Sequence, residues 1–294
     1  MRLIVTLLLL LASSAAHAQA SADTLQAETL QAEMQAAWKA ASEAATPGPA
    51  IIPLVDQATL AIPKGMAFIP KAEAYNWSRS LGNTPGDDQI GMVTTLGDEE
   101  WIVSVRWVPD GYVRDDEARD MKADDILASL REGSVWSNQD RVARGFPELE
   151  ITGWVQPPAY DEAVHQLQWA LGVQRKGQPD AAGTNLNTRA LGRNGYFSLN
   201  LVTSRQELAR YRPVATTLLA GLDYNDGKRY QDVNESTDRI AQYGLMGLIG
   251  VVAAKKLGLL ALAGVFVLKF AKVGLIALAG LGLIFRKLFR RNPS

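Results

Sequence analysis

His165 is the residue best suited to catalysis, because it is the only histidine after the first 18 residues. An imidazole can act as a general base near neutral pH, and Asp161, four residues earlier, could orient it. A serine would complete a hydrolase site, for which predicted strand pairing makes Ser198 the nearest candidate. However, His165 shares the apolar face of a predicted strand with Leu167 and Trp169, which favours a structural histidine. We therefore predict a protein that is not an enzyme, with His165 and Asp161 as the catalytic candidates of a rival hypothesis.

The other patterns in the sequence predict neither a cofactor nor a metal site. The chain contains no cysteine, which excludes a thiol nucleophile and thiolate metal ligands. The motifs of phosphate loops, dinucleotide sites and nucleophile elbows do not occur. Acidic clusters such as Asp115-Asp116-Glu117 lack the spacing of a calcium loop and are typical of helix caps and solvated turns. A cation held by Asp115 and Asp116 is the alternative interpretation.

The acidic residues are confined to the middle of the chain. Residues 19–240 hold all 31 acidic side chains and 21 basic ones, which gives this part a net charge of −10. Such a surface repels phosphate backbones, so nucleic acid is not an expected partner. Arg189 and Arg193 lie near a predicted hairpin and could bind an anionic headgroup or the carboxylate of a partner. A plain surface role is the simpler interpretation of both arginines.

The N-terminus has the pattern of a secretory signal peptide. A charged start, Met1-Arg2, is followed by the apolar run Leu3–Leu11 and by the small residues of Ala16-His17-Ala18. We predict a signal peptide at residues 1–18, cleaved after Ala18 or Ala20.

The C-terminal segment, residues 241–294, has the pattern of a membrane anchor. It contains no acidic residue, and basic residues interrupt and close its apolar runs. The residues predicted at the membrane interface are Lys255, Lys256, Lys269, Lys272, Arg286, Lys287, Arg290 and Arg291. A helix of about 20 residues spans a bilayer, and 257–285 is long enough with two lysines inside it. We predict one span and a cytoplasmic C-terminus, because the basic end obeys the positive-inside rule; a helical hairpin and an interfacial helix are the alternatives.

An exported chain with a C-terminal anchor keeps its middle part outside the cytoplasm. We therefore expect residues 51–240 in the periplasm, tethered to the inner (cytoplasmic) membrane. The expected partners are the lipid bilayer, another envelope or membrane protein and, through the glycine-rich tail, a second copy of the chain. The predicted function is a binding or accessory role in a cell-envelope complex. The alternatives are a hydrolase centred on His165 and an oligomer that remodels the membrane through its tail.

Hydrophobic periodicity in the middle part predicts an α+β fold with a mainly antiparallel sheet. Residues 19–50 predict an N-terminal helix followed by a Pro47-Gly48-Pro49 linker. Asn194-Gly195 between two alternating runs is a strong hairpin signal. The predicted strands are Ala58–Ile62, Met66–Ile69, Gln89–Leu96, Trp101–Val108, Leu149–Val155, Val164–Val173, Asn185–Leu191 and Tyr196–Thr203. The predicted helices are Ser21–Ala45, Lys71–Leu81, Asp124–Arg144 and Arg205–Leu222.

Several short motifs follow one another in a specific order. They are Gly111-Tyr112-Val113 with Asp115-Asp116, Asp125-Ile126-Leu127 with Arg131-Glu132-Gly133, Gly145-Phe146-Pro147, Gly153-Trp154, Pro158-x-Tyr160-Asp161, His165-x-Leu167-x-Trp169-Ala170 and Leu191-Gly192-Arg193-x-Gly195. In this set the chain resembles the bacterial membrane-anchored proteins known only as domain of unknown function 2167. The resemblance runs from about Ile51 to the lysine-containing tail. It implies an exported soluble domain with a C-terminal membrane segment, and it implies no reaction.

The end of the middle part carries a second resemblance. The last predicted helix leads into Leu222-Asp223-Tyr224 and Tyr230, and in this the chain is similar to the antiparallel α+β domains related to the photosystem accessory protein PsbP. Those domains assist complexes and do not catalyse reactions. The resemblance therefore implies an accessory role, by analogy of fold.

Overall fold

The computed structural model of the protein describes residues 28–249. Helices in this part are α1 (28–44), α2 (Lys71–Ser80), α3 (Ala123–Ala143), α4 (Leu208–Ala220) and α5 (Leu245–Ile249). Strands are β1 (Thr46–Pro47), β2 (Ala50–Leu54), β3 (Ala58–Ile62), β4 (Met66–Pro70), β5 (Gln89–Thr95), β6 (Trp101–Val108), β7 (Leu149–Asp161), β8 (Gln166–Arg175), β9 (Gln178–Gly192), β10 (Gly195–Ser204) and β11 (Leu222–Tyr224). The predicted signal peptide and the eight basic residues predicted at the membrane interface lie outside the described residues.

Eight strands form one antiparallel sheet in the order β1-β4-β5-β6-β10-β9-β8-β7, and β11-β3-β2 form a smaller one. The centre of the large sheet is the β9–β10 hairpin with β6 beside it. Along β6, buried residues alternate strictly with partly exposed ones, which places Val103 and Val105 on one side of the sheet. This period of two is what the strand geometry requires. The predicted α+β class with a mainly antiparallel sheet is thus confirmed.

One side of the large sheet, which we term the α4 face, is covered by α4 and the smaller sheet. Val105, Phe197 and Leu199 of the large sheet pack there with Leu60 of β3 and Leu218 of α4. All five side chains are at most 2% exposed. Burial of one such side chain stabilises a fold by about 1.5–3 kcal/mol. Because this cluster has more buried side chains than the others in the described residues, it is the main core.

The other side, which we term the α5 face, carries a second core. Leu167 and Trp169 of β8 pack there with Leu191 of β9, Ile126 of α3 and Leu245 of α5. Near β4 and β5, helices α1 and α2 cover the same face. Between these two covered regions, the α5 face carries polar side chains.

Three local features differ from the sequence prediction. Pro47 was expected in a linker, but it belongs to β1 and pairs with Ala67 of β4. Strand β7 continues through Pro157-Pro158, beyond the predicted end at Val155, because β7 is an edge strand and its register shifts there. His165 was expected on a strand, but β8 begins at Gln166 and His165 lies in the preceding turn.

Within residues 28–249, no helix has both the length and the apolar character needed to cross a membrane. The span predicted for the C-terminal segment lies outside the described residues, which end in α5.

Candidate functional site

His165 lies in the turn between β7 and β8 with a backbone φ of +50°. The left-handed region costs a residue with a side chain about 1–2 kcal/mol. The turn is attached to the sheet, because the backbone N–H of Leu191 donates to the carbonyl of His165 at 3.0 Å. Conformations of this kind persist where surrounding contacts hold them, and they are enriched at functional sites.

A carboxylate and a phenol surround the His165 imidazole. The Tyr160 hydroxyl at the end of β7 donates to Oδ2 of Asp115, in the loop after β6, at 2.6 Å. Nδ1 of His165 lies 3.3 Å from the Tyr160 hydroxyl and 3.6 Å from Asp115 Oδ2. The side chains of His165 and Asp115 are 27% and 25% exposed, so solvent reaches the cluster.

Asp161, the carboxylate expected to orient His165, has another partner. Its Oδ1 accepts a hydrogen bond from the backbone N–H of Ala163 at 3.0 Å, within the same turn. Asp161 therefore shapes the turn, and Asp115 is the carboxylate that lies against His165.

Two further tyrosines form the inner wall of the cluster. The His165 ring stacks on Tyr230 with centroids 4.1 Å apart, and Tyr230 packs on Tyr112 at 4.4 Å. The Tyr230 hydroxyl donates to the carbonyl of Val113 at 2.9 Å. Burial raises the pKa of the Tyr112, Tyr160 and Tyr230 hydroxyls above their ordinary value, and the hydrogen bond to Asp115 adds to this effect at Tyr160. All three phenols therefore stay neutral at physiological pH, and those of Tyr160 and Tyr230 donate hydrogen bonds.

Ser198 lies away from this cluster. It pairs with Arg189 of β9, so a whole strand separates Ser198 from β8, which follows His165. Since adjacent strands are about 4.8 Å apart, the gap across the sheet is about 10 Å. The Ser198 hydroxyl accepts a hydrogen bond from Nη1 of Arg189 at 2.6 Å. The fold thus does not bring Ser198, His165 and Asp161 together as a triad.

The His165 cluster is suited to recognition. It combines an imidazole, a carboxylate and neutral phenols at a partly exposed turn, and groups of these types can form hydrogen bonds and ring contacts with a polar ligand. In the part of the chain that the structure describes, no group of three or more histidine or acidic side chains could hold a metal ion. Asp115, which the sequence also offered as a cation ligand with Asp116, contacts Tyr160 and His165 here.

The two arginines near the β9–β10 hairpin have different environments. Arg193 forms a bidentate pair with Asp238, with Nε to Oδ2 at 2.7 Å and Nη2 to Oδ1 at 2.9 Å. Arg193 is therefore a structural residue that attaches the segment after β11 to the hairpin. Arg189 lies on the α5 face and has no carboxylate partner among the described residues.

Sequence reasoning missed the three tyrosines and the pairing of His165 with Asp115. Tyr112, Tyr160 and Asp115 all occur in the motifs quoted above, and the fold brings these motifs together around His165. The only sign of these residues in the sequence was that they occur in the ordered motifs. The distances between them depend on which loops meet at one end of the sheet, and periodicity does not encode that.

Comparison with known proteins adds a family but no activity. None of the curated proteins matches the chain. Similar solved structures include cyanobacterial PsbP (CyanoP) from Synechocystis, at 12% identity and a TM-score of 0.35. The match covers 58% of this chain and 88% of the CyanoP chain. Protein PA94 of unknown function from Pseudomonas aeruginosa, at 10% identity and a TM-score of 0.21, covers 57% of this chain and 90% of its own. Scores this low support no conclusion about function. The model of one family, described as "Protein of unknown function (DUF2167)", matches residues 46–279, and the chain therefore belongs to that family.

Proposed function

We propose that this protein is a membrane-tethered binding or accessory protein of the cell envelope, with residues 51–240 in the periplasm. One observation carries the proposal: the segment that leads from β11 to the apolar tail is part of the folded body.

That segment is attached to the body by backbone and side-chain contacts. Ile240 forms a parallel bridge with Tyr112, in which Tyr112 N donates to Arg239 O and Ala241 N donates to Tyr112 O, both at 2.8 Å. The Tyr243 hydroxyl bonds to the carboxylate of Asp110. A few residues later, α5 packs into the second core.

This attachment supports an accessory role because it constrains geometry. Only residues 250–256 separate the end of α5 from the predicted span at 257–285, and so short a connection restricts the angle of the domain to the bilayer. A long flexible linker would leave the domain free to rotate. Tyr112 and Tyr230 of the His165 cluster belong to the same core as α5. The cluster would therefore be presented at a fixed position relative to the membrane, which suits a protein that contacts another membrane component.

Carbonate extraction and protease accessibility test the location. We expect the full chain to remain in the membrane pellet in carbonate. We also expect protease to digest the body once the outer membrane is permeabilised, while the inner membrane is intact. A chain that washes off in carbonate, or a body protected by the inner membrane, contradicts the proposal.

Photo-crosslinking in cells tests the binding role. Val164, beside His165, is 54% exposed, and Val135 on α3 is 57% exposed, so the two valines are matched positions for a photoreactive amino acid. We expect the probe at position 164 to give one discrete adduct with an envelope protein, which the probe at position 135 does not give. The same adducts from both positions, or none from either, count against a binding role for the His165 cluster.

A further inference from the structure

A row of polar side chains crosses the α5 face of the sheet. Arg189 of β9 is paired with Ser198 of β10, Ser198 with Arg106 of β6, and Arg106 with Gln89 of β5. The adjacent row contains Asn187, Asn200 and Ser104 on β9, β10 and β6. A sheet face between two packed helical regions is normally apolar, so these rows call for a physical explanation.

The guanidinium of Arg189 uses only one of its edges. Nη1 donates to Ser198 Oγ at 2.6 Å and to the carbonyl of Thr188 at 3.2 Å. Nε is buried and has no hydrogen-bond partner, and no described residue accepts a hydrogen bond from Nη2. The free edge, Nε with Nη2, is one of the two forks with which arginine binds a carboxylate or phosphate through parallel hydrogen bonds.

The charge in this row is not balanced. Arg106 pairs with Asp88 at 3.5 Å, and Arg189 has no ion pair among the described residues, so two guanidiniums share one carboxylate. Burial lowers the pKa of Arg189 to about 10, so the group is still protonated at neutral pH. Arg189 is only partly exposed and its Nε is buried without a partner, which destabilises the fold; a bound anion removes that cost.

Aromatic rings hold the Arg189 fork in place. The Arg189 guanidinium carbon lies 4.8 Å from the ring centre of Trp169 and 5.8 Å from that of Tyr196. Contacts of a cation with ring faces fix the guanidinium plane and leave its edges for a ligand. On the β6 side the row is open to solvent, since the Arg106 side chain is 37% exposed.

We infer that this row is a binding site for an oxyanion, a phosphate or carboxylate group, held by the free edge of Arg189 and approached by Arg106. In the adjacent row, Oδ1 of Asn200 is buried without a donor, so a ligand with a hydroxyl group beside its anion satisfies both orphan atoms. A glycerol phosphate has this chemistry, either as the headgroup of an anionic lipid or as a soluble molecule. The site uses sheet residues only and does not rest on the proposed membrane attachment.

Two binding measurements on the detergent-solubilised full chain distinguish the sources. In the first, calorimetry measures sn-glycerol 3-phosphate against glycerol as the neutral control. In the second, native mass spectrometry compares retention of phosphatidylglycerol with that of phosphatidylcholine of the same acyl chains. Binding of glycerol 3-phosphate supports a soluble ligand. Preferential retention of phosphatidylglycerol without it supports a lipid headgroup. If glycerol 3-phosphate does not bind and phosphatidylglycerol is not preferentially retained, the inference is wrong.

Point variants test whether the measured binding occurs at this row of polar side chains. Arg189→Gln and Arg189→Lys both remove the fork, and the lysine keeps the charge, so each should weaken binding about tenfold or more. Arg106→Gln should weaken it about threefold or more. The control is Arg210→Gln on α4, on the other side of the sheet, where the side chain is 66% exposed and binding should not change. If Arg189→Gln does not fold, the binding of Arg189→Lys and Arg106→Gln tests the site instead. Folded variants that bind as the wild type does overturn the site.

Discussion

At the scale of single residues, His165 combines a strained backbone with favourable ring contacts. Replacing it with alanine keeps the φ of +50° and removes the stack on Tyr230 and the contact with Tyr160. Replacing it with glycine removes the same contacts but also relieves the strain. We therefore expect His165→Gly to be more stable than His165→Ala by about 1 kcal/mol, measured by urea unfolding. This order is the reverse of the one found in ordinary strands and helices. Equal stability of the two variants would mean that His165 does not hold this conformation in solution.

Asp238 predicts a dependence of stability on pH. The hydrogen bonds from Arg193 and from the backbone of Asn234 lower the pKa of the Asp238 carboxyl to about 2. Because the folded pKa lies below the unfolded value of about 4, the carboxylate stabilises the protein fully above pH 4, and this contribution is lost as the pH falls toward 2. We expect Asp238→Asn to unfold more easily than the wild type at pH 6, with the difference shrinking toward pH 2–3, as followed by urea unfolding.

The matched control for this prediction is Asp226→Asn, which removes a carboxylate paired with Arg229 but 95% exposed. It should leave the free energy of unfolding nearly unchanged at both pH values, because exposed ion pairs contribute little. If Asp226→Asn and Asp238→Asn behaved alike, the bidentate pair with Arg193 would not be the cause.

At the scale of elements, the β9–β10 turn lies close against the end of β6. Gly195 has a φ of +152°, and a Cβ atom there would lie 2.0 Å from the carbonyl oxygen of Val108. Gly177, in the β8–β9 turn, has a φ of +76° and open space around it. Gly177→Ala should therefore cost about 1 kcal/mol of stability, from the backbone alone, whereas Gly195→Ala should cost about 2–4 kcal/mol. Chemical denaturation of the two variants compares them directly. A similar cost for both would exclude the close approach to β6.

The sequence predicted the elements whose patterns are local. Ala58–Ile62 and Trp101–Val108 are strands with the predicted bounds, and the helix predicted at Asp124–Arg144 is α3, shifted by one residue at each end. In these elements, burial on one face and a turn or cap at each end determine the residue types. Fold class follows from the same patterns, because alternating strands joined by short turns form antiparallel sheets.

The rest of the fold depends on partners that are distant in the chain. Strands β1 and β11 are two and three residues long, and each exists because a longer strand pairs with it. The candidate site was missed for the same reason. The sequence distance between Asp115 and Tyr160 is large, and the nearness of Asp161 to His165 in the chain was misleading because the turn uses Asp161 for its own backbone.

At the scale of the whole molecule, the two faces of the large sheet have different roles. The α4 face is covered by α4 and the small sheet and supplies most of the apolar burial. The α5 face holds the His165 cluster, the polar row of Arg189 and the docked segment before the predicted anchor. Both candidate recognition surfaces therefore lie on the side of the sheet from which the chain continues toward the tail.

This arrangement predicts that one buried side chain couples the body to the segment before the predicted anchor. Leu245 of α5 is completely buried, while its neighbour Met246 is 36% exposed. Leu245→Ala leaves a cavity worth about 2 kcal/mol or more, which suffices to undock a five-residue helix without unfolding the main core. Hydrogen exchange of the full chain should then show about 30-fold faster exchange at the Ala241 amide, which bonds to Tyr112, with unchanged protection along β6 and β10. Met246→Ala should exchange as the wild type does. Equal exchange in the two variants would mean that the core does not hold the segment, and the predicted anchor would then leave the body free to rotate.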